Sequence, residues 1–304
     1  MGAALAAASP AARAVFAHAD AVLGFPLSDL CFNGPQATLD DTVNAQPALL
    51  TTSIAVLRAL EEAAGQGDHG GPLLQPAFCA GHSLGEYSAL VAAGALDFEP
   101  ALRLVRERGR LMKQAGEAQP GGMAALIGAD DATAEAVAEA AGVQVANFNS
   151  PGQVVLSGSK EGIARLPEVA KAHSVRKVMP LAVTIAAHSA LMGSIVDEYR
   201  AAVNDTPFEA PRIPVISNVT AQPLDSVDAI RVELVEQLTH SVRWVASVQM
   251  MAAAGVTAFV ELGAGNVLTG LVKRIVKDAS ARAIGTPEDI ETYLAEAAQV
   301  AGNG

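Results

Sequence analysis

Aromatic residues are scarce in this chain: 4% of its 304 positions, with a single tryptophan. Positive charge is scarce too, with 20 Lys and Arg against 32 Asp and Glu and a formal net charge of −12 at pH 7. Together these exclude a nucleic-acid surface, which needs a basic stripe with interleaved rings. Two cysteines, Cys31 and Cys79, are too few for a disulfide framework, and Cys79 sits in an apolar run, which fits a reducing, cytoplasmic setting. No apolar run approaches the length of about 20 residues that a membrane helix needs. The Ala-rich start, MGAALAAASPAARAVF, lacks the basic head and solid apolar stretch of a signal peptide. A soluble protein with no membrane partner is expected. No H-E-x-x-H and no Cys/His ligand spacing occurs, so no metal is expected. What the chain has is apolar mass, 51% hydrophobic and 17% charged, enough for a large core in one big domain or two unequal ones.

The stretch PAFCAGHSLGEYSALVAAGAL (76–96) organises the rest. A compact apolar run reads as a buried strand, a G-x-S-x-G pentapeptide follows at Gly81–Gly85, and a helical run comes next. Strand, glycine-flanked serine and helix make the nucleophile-elbow pattern. A side chain at either glycine is expected to clash in so sharp a turn. The turn lifts the Ser83 hydroxyl to a helix N-terminus, where backbone N–H groups favour negative charge on a substrate oxygen. A plain Ser N-cap between ordinary glycines is the bland alternative. The placement of strand and helix favours Ser83 as a nucleophile.

Along the chain, Ser9-Pro10 opens a helix that Gly24 ends. The loop FNGPQATLDDT leads to a helix over 42–64, and GQGDHGG (65–71) reads as a surface connection. A helix centred on 100–116 follows the elbow. From about Gly121 strand, helix, strand, strand, helix and strand follow within some 65 residues, a ferredoxin-like βαββαβ module. Its bounds are 119–185, inserted into a larger domain of 1–118 and 186–304. In the outer parts strands and helices alternate, which implies a mostly parallel sheet covered on both faces, an α/β fold.

A serine at neutral pH needs a base, and six histidines are available. His18 and His69 fall in an early helix and a glycine loop. His82 is pinned inside the elbow, and His173 ends a helix. That leaves His188, which follows an apolar strand at the mouth of a helix, and His240, which ends another helix. Arg103, Arg106, Arg108 and Arg110 crowd between apolar residues of LRLVRERGRLM. One of them turned inward would grip a carboxylate through its fork, and position alone does not choose which.

GHSLGEYSAL, RGRLM, ANFNSPGQVVLSG (146–158), HSALM at His188 and ELGAGNVLTGLVKRI (261–275) resemble the malonyl-CoA:acyl-carrier-protein transacylases. These are the loading enzymes of bacterial fatty acid synthesis, and the resemblance runs from the first helix to the last. It implies a hydrolase-like domain with a ferredoxin-like insert and the active site in the groove between them. It implies Ser83 as nucleophile, His188 as base and Arg108 as partner of the malonyl carboxylate. It further implies the Gln237 carbonyl as the group orienting His188, the Leu84 N–H as an oxyanion donor, and Gln46 and Gln153 as polar residues near the substrate. Malonyl-CoA and acyl carrier protein are the implied partners, with no cofactor beyond the coenzyme A thioester. The family begins with a strand and a Gly-Gln-Gly loop that supplies a second oxyanion donor; this sequence starts at Met1-Gly2, past that segment, so the strand is expected to be missing. Ala187 before His188, where relatives carry Phe or Ser, leaves malonyl against methylmalonyl selectivity open.

Two other readings compete. A serine esterase or thioesterase usually orders serine, acid and then a late histidine, whereas 116 residues follow His188. The absent first strand leaves room for a weakly active or non-catalytic carrier-protein-binding module, though a non-catalytic one has no use for the Ser83, His188 and Arg108 set.

Overall fold

The computed structural model describes residues 1–65 and 75–302, so most of the expected glycine connection, with His69, lies outside the described residues. Helices α1 (Ala3–Ala8), α2 (Pro10–Leu23), α3 (Leu27–Asn33), α4 (Gln36–Asp40) and α5 (Thr42–Ala63) come first. After the elbow come α6 (Gly85–Ala92) and α7 (Phe98–Ala118). Then follow β1 (Gly121–Ile127), α8 (Asp131–Ala141), β2 (Gln144–Ser150), β3 (Gln153–Ser159), α9 (Lys160–Ala172) and β4 (Lys177–Pro180). A 3-10 turn (Ala190–Ile195) leads to α10 (Val196–Asp205), β5 (Val215–Ile216), β6 (Pro223–Leu224), α11 (Val227–Glu236) and α12 (Trp244–Ala253). The chain closes with β7 (Ala258–Leu262), α13 (Val267–Ile275), β8 (Ser280–Ile284) and α14 (Pro287–Gly302).

Local chemistry accounts for several of these boundaries. Ser9 caps α2 through the Ala12 N–H, with Pro10 at the first helical position and Gly24 closing it in the left-handed region. Asp130 and Ser159 cap α8 and α9 in the same way. The loop expected before α5 (32–42) instead holds α4 and the end of α3, and buried Leu27, Cys31 and Leu39 give these short helices their apolar anchors.

Strands β1 to β4 form one antiparallel sheet in the order β2-β3-β1-β4. Its side chains alternate. Ala124, Leu126, Val154 and Leu156 join α8 and α9 in a core of their own, while Ala125, Ala146 and Val155 pack on the other face. The larger core gathers α1 to α7, α10, α11 and part of α14. The mostly parallel sheet appears only in fragments among the described residues. β7 and β8 pair in parallel, and the expected elbow strand is reduced to one parallel bridge between Cys79 and Val215. The edge of β7 away from β8 pairs with no described strand, and Val260 there is 41% exposed. The sheets are therefore mixed, and the α/β class holds. Among the described residues no helix is long and apolar enough to cross a membrane.

Candidate active site

The elbow is as tight as its sequence implies, but only one of its glycines is required by space. A Cβ on Gly81 would lie 2.0 Å from the backbone of Gly85, whereas a Cβ on Gly85 meets nothing within 4 Å. The expected clash at both positions is thus corrected to a clash at Gly81. Ser83 takes φ 51°, in the left-handed region, a conformation that costs an L-residue on the order of 1–3 kcal/mol and needs external support. Asn218, in the loop after β5, supplies it. Its Oδ1 accepts the Ser83 N–H at 2.6 Å and its Nδ2 donates to the Gly81 carbonyl at 2.7 Å.

Ser83 Oγ lies 2.8 Å from His188 Nε2. His188 Nδ1 lies 2.7 Å from the Gln237 carbonyl oxygen, an acceptor only, so Nδ1 carries the proton and Nε2 is left to accept from the serine. The imidazole is 4% exposed. Burial first, and then the nearby Arg108 guanidinium, lower its pKa from 6.5 to about 3, so the ring is neutral at physiological pH. Of the two histidines left open by position, the structure brings His188 to the serine. His240 bonds the Glu236 carbonyl of its own helix end. His82 is held to Asn149 Oδ1 at 2.8 Å and does not reach back to Ser83. His18 faces Glu99 at the surface, and His173 caps α9.

Of the four arginines on α7 only Arg108 turns inward, at 2% exposure. Arg103 and Arg110 pair with surface glutamates, and Arg106 bonds the Val43 carbonyl and Asn44. The reason is the helical period: Arg108 shares its face with Leu104, Val105, Leu111 and Met112, all buried. Its Nη1 donates to Gln46 Oε1 at 2.8 Å and its Nη2 to Gln237 Oε1 at 2.8 Å and Ser83 Oγ at 3.2 Å. Among the described residues it has no carboxylate partner and its Nε has no partner of any kind. The Leu84 N–H at the start of α6 is likewise free of any hydrogen bond among the described residues.

Gln46, Ser83, Leu84, Arg108, His188 and Gln237 therefore converge. Gln153 does not. Its Oε1 accepts from Arg274 on α13 at 2.9 Å, because it opens β3 at the hairpin, opposite Ile127, while the other end of the β1–β3 pair abuts Ala186. Sequence reasoning missed Asn218 and Glu86. Asn218 follows the apolar run of β5, the end of a strand where functional loops gather. Glu86 is the only charge in GEYSALVAAGAL, and it is fully buried.

The chain matches the acyl transferase domain family over residues 1–299. A malonyl CoA-acyl carrier protein transacylase of Escherichia coli (strain K12) is 45% identical over 294 residues, covering 95% of this chain and 93% of the relative. The Bacillus subtilis (strain 168) protein of the same name is 42% identical over 290 residues, 94% of this chain and 89% of the relative. Among solved structures, an acyl carrier protein S-malonyltransferase from Vibrio cholerae superposes with a TM-score of 0.90 at 42% identity, over 96% of this chain and 94% of that one. A malonyl-transacylase in complex with its type II PKS acyl-carrier protein gives a TM-score of 0.91 at 40% identity, over 97% and 94%. In sequence and in backbone alike, the chain belongs to the acyl transferase family.

Proposed function

We propose that the protein transfers a malonyl group from malonyl-CoA to the phosphopantetheine thiol of an acyl carrier protein through a malonyl-Ser83 ester. The observation that carries this reading is Arg108. A guanidinium at 2% exposure, held by two neutral amides and by no carboxylate among the described residues, is a seat for an anion. It lies 3.2 Å from the attacking oxygen, and in a malonyl group the free carboxylate is one methylene away from the reacting carbonyl.

In the first half-reaction His188 Nε2 takes the Ser83 proton as Oγ attacks the thioester carbonyl. The Gln237 carbonyl steadies the imidazolium that forms, and the Leu84 N–H is aimed where the oxyanion develops. Collapse breaks the C–S bond, and His188 returns the proton to the departing coenzyme A sulfur. In the second half-reaction the carrier thiol gives its proton to His188 and attacks the ester, and Ser83 Oγ leaves with that proton. Only these side chains and backbone groups and the two thiols take part, and no metal or further cofactor enters the scheme.

The esterase reading is weaker because the third member of the set is a backbone carbonyl, and because a buried, unpaired arginine serves no purpose for a neutral ester. The binding-module reading is opposed by the 2.8 Å contact between serine and base. The topology of residues 119–185, with its separate core, supports a ferredoxin-like insert in a hydrolase-like domain of 1–118 and 186–304. To test the function, the protein is incubated with malonyl-CoA and its adduct mapped by mass spectrometry before and after a holo carrier protein is added. Malonyl on Ser83 that moves to the carrier is expected. Release of free malonate with no transfer would return the esterase reading.

A further inference from the structure

Glu86 lies one helical turn beyond Ser83 on α6 and is 0% exposed. Helical side chains tilt towards the N-terminus of their helix, which brings this carboxyl beneath the elbow. Its Oε1 accepts the Asn218 N–H at 3.0 Å, and its Oε2 accepts from Gln237 Nε2. Those two partners hold most of the remaining site. Asn218 spans the elbow through the Ser83 N–H and the Gly81 carbonyl. Gln237 gives Arg108 its Oε1 and His188 its backbone oxygen, and its Nε2 also reaches the Ser83 carbonyl at 3.2 Å.

The orientation of the Gln237 amide is not free. A guanidinium only donates, so Oε1 must face Arg108, and the NH2 must then find acceptors on its other side. Glu86 Oε2 is one of them and the Ser83 carbonyl the other. Behind Glu86 stands Glu233, 3% exposed, itself held by the Ser217 hydroxyl and the Val219 N–H. Burial and this neighbour raise the Glu86 carboxyl well above its ordinary range. A carboxyl oxygen keeps a lone pair to accept with, whether ionised or protonated, whereas an amide nitrogen has none.

We infer that Glu86 is a positioning residue: by accepting from both Gln237 and Asn218 it fixes the amide that aims Arg108 at the acyl carboxylate and the loop that supports the Ser83 turn. The inference rests on the malonyl-carboxylate reading of Arg108. In Glu86→Gln the shape is kept but one arm of the side chain becomes a donor. The Asn218 N–H is backbone and cannot turn. The Gln237 amide is the softer partner; it flips and presents its NH2 to Arg108, donor against donor.

The test compares kcat/KM for malonyl-CoA and acetyl-CoA in wild type, Glu86→Ala and Glu86→Gln. Folded enzyme is counted by titrating Ser83 with a fluorophosphonate, which removes any loss due to misfolding alone. Losing one buried hydrogen-bond acceptor should lower the malonyl-over-acetyl preference by about tenfold in Glu86→Ala and roughly threefold or more in Glu86→Gln. A merely structural role would lower the melting temperature and leave that preference unchanged. A smaller change than threefold in Glu86→Gln overturns the inference, and this variant decides alone if Glu86→Ala does not fold. Arg108→Ala, run beside them, separates the two layers. If it too leaves the preference intact, the carboxylate reading of Arg108 fails; if it collapses the preference while Glu86→Gln does not, only the role of Glu86 fails.

Discussion

Ser83 and His188 both sit at positive φ, 51° and 57°, so the side chains proposed as nucleophile and base occupy backbone that favours glycine. Removing the hydroxyl in two ways isolates that cost. Ser83→Ala and Ser83→Gly should both abolish the acyl-enzyme, and the glycine variant should be the more stable by about 1 kcal/mol, since only it relaxes the left-handed turn. Equal unfolding midpoints in urea would show that the turn holds no strain. For Arg108→Ala the expectation is a loss of about 2–5 kcal/mol in transition-state binding for malonyl, because the carboxylate is left unpaired in a dry site. Acetyl transfer should change much less, and equal losses in steady-state assays would refute the pairing. Ser83 was legible because a pentapeptide and its flanks carry the signal locally. Arg108 was legible as one of four arginines, and its place among Leu104, Val105, Leu111 and Met112 is the helical-period signal that marks it. Glu86 was hidden because an acid in the first turn of a helix ordinarily complements the dipole at the surface. Its partners Asn218 and Gln237 lie 132 and 151 residues away.

Among elements, the pair α5 and α7 sets where the arginine points. Gly109, next to Arg108, lies where the helices touch: a Cβ there would fall 2.6 Å from the Thr42 carbonyl oxygen at the start of α5. Gly109→Ala gains about 0.5–1 kcal/mol of helix propensity, but backbone overlap costs about 1–3 kcal/mol. The overlap wins. The variant should melt below wild type and lose malonyl turnover more than acetyl, because separating α7 from α5 draws Arg108 off Gln46. A melting temperature above wild type would show that the helices part freely. Long, strongly periodic elements such as α5, α7 and the βαββαβ run were readable from spacing alone. The short helices α3 and α4 were not, because Gly34, Pro35 and two aspartates (40 and 41) dominate their sequence while a few buried side chains decide their structure. The parallel sheet was legible only in part, for the opposite reason. An apolar run such as PAFCA states that a segment is buried, and ladder length depends on neighbours that a single segment does not encode.

At the scale of the molecule, a net charge of −12 opposes the approach of anionic coenzyme A and of any carrier protein that is itself acidic. Seven exposed cations run against that background: Lys160, Lys171, Arg176 and Lys177 around α9 and β4, and Lys273, Arg274 and Lys277 around α13. None forms an ion pair among the described residues. If these cations receive the carrier, its apparent KM should rise with added salt, since charge contacts at the surface are screened over about 8–10 Å near physiological ionic strength. Charge reversal at Lys171 and Lys177 should raise it at low salt and leave the acylation step untouched. A carrier KM indifferent to both changes would remove charge from docking.

The charge of Arg108 bears on timing. In the substrate-free protein burial, and then the charge of Arg108, hold His188 down at about 3. On the proposed mechanism the malonyl carboxylate offsets the field of Arg108, both in bound malonyl-CoA and in the acyl-enzyme, and His188 strengthens there before the carrier thiol arrives with a proton to surrender. The substrate thereby tunes the base for its own departure. The free enzyme governs kcat/KM for malonyl-CoA and the acyl-enzyme governs kcat/KM for the carrier. Protonation of His188 removes the base, so each acid limb marks its pKa in that form, and the limb for the carrier should lie at the higher pH. Coincident limbs would mean that the imidazole does not sense the carboxylate.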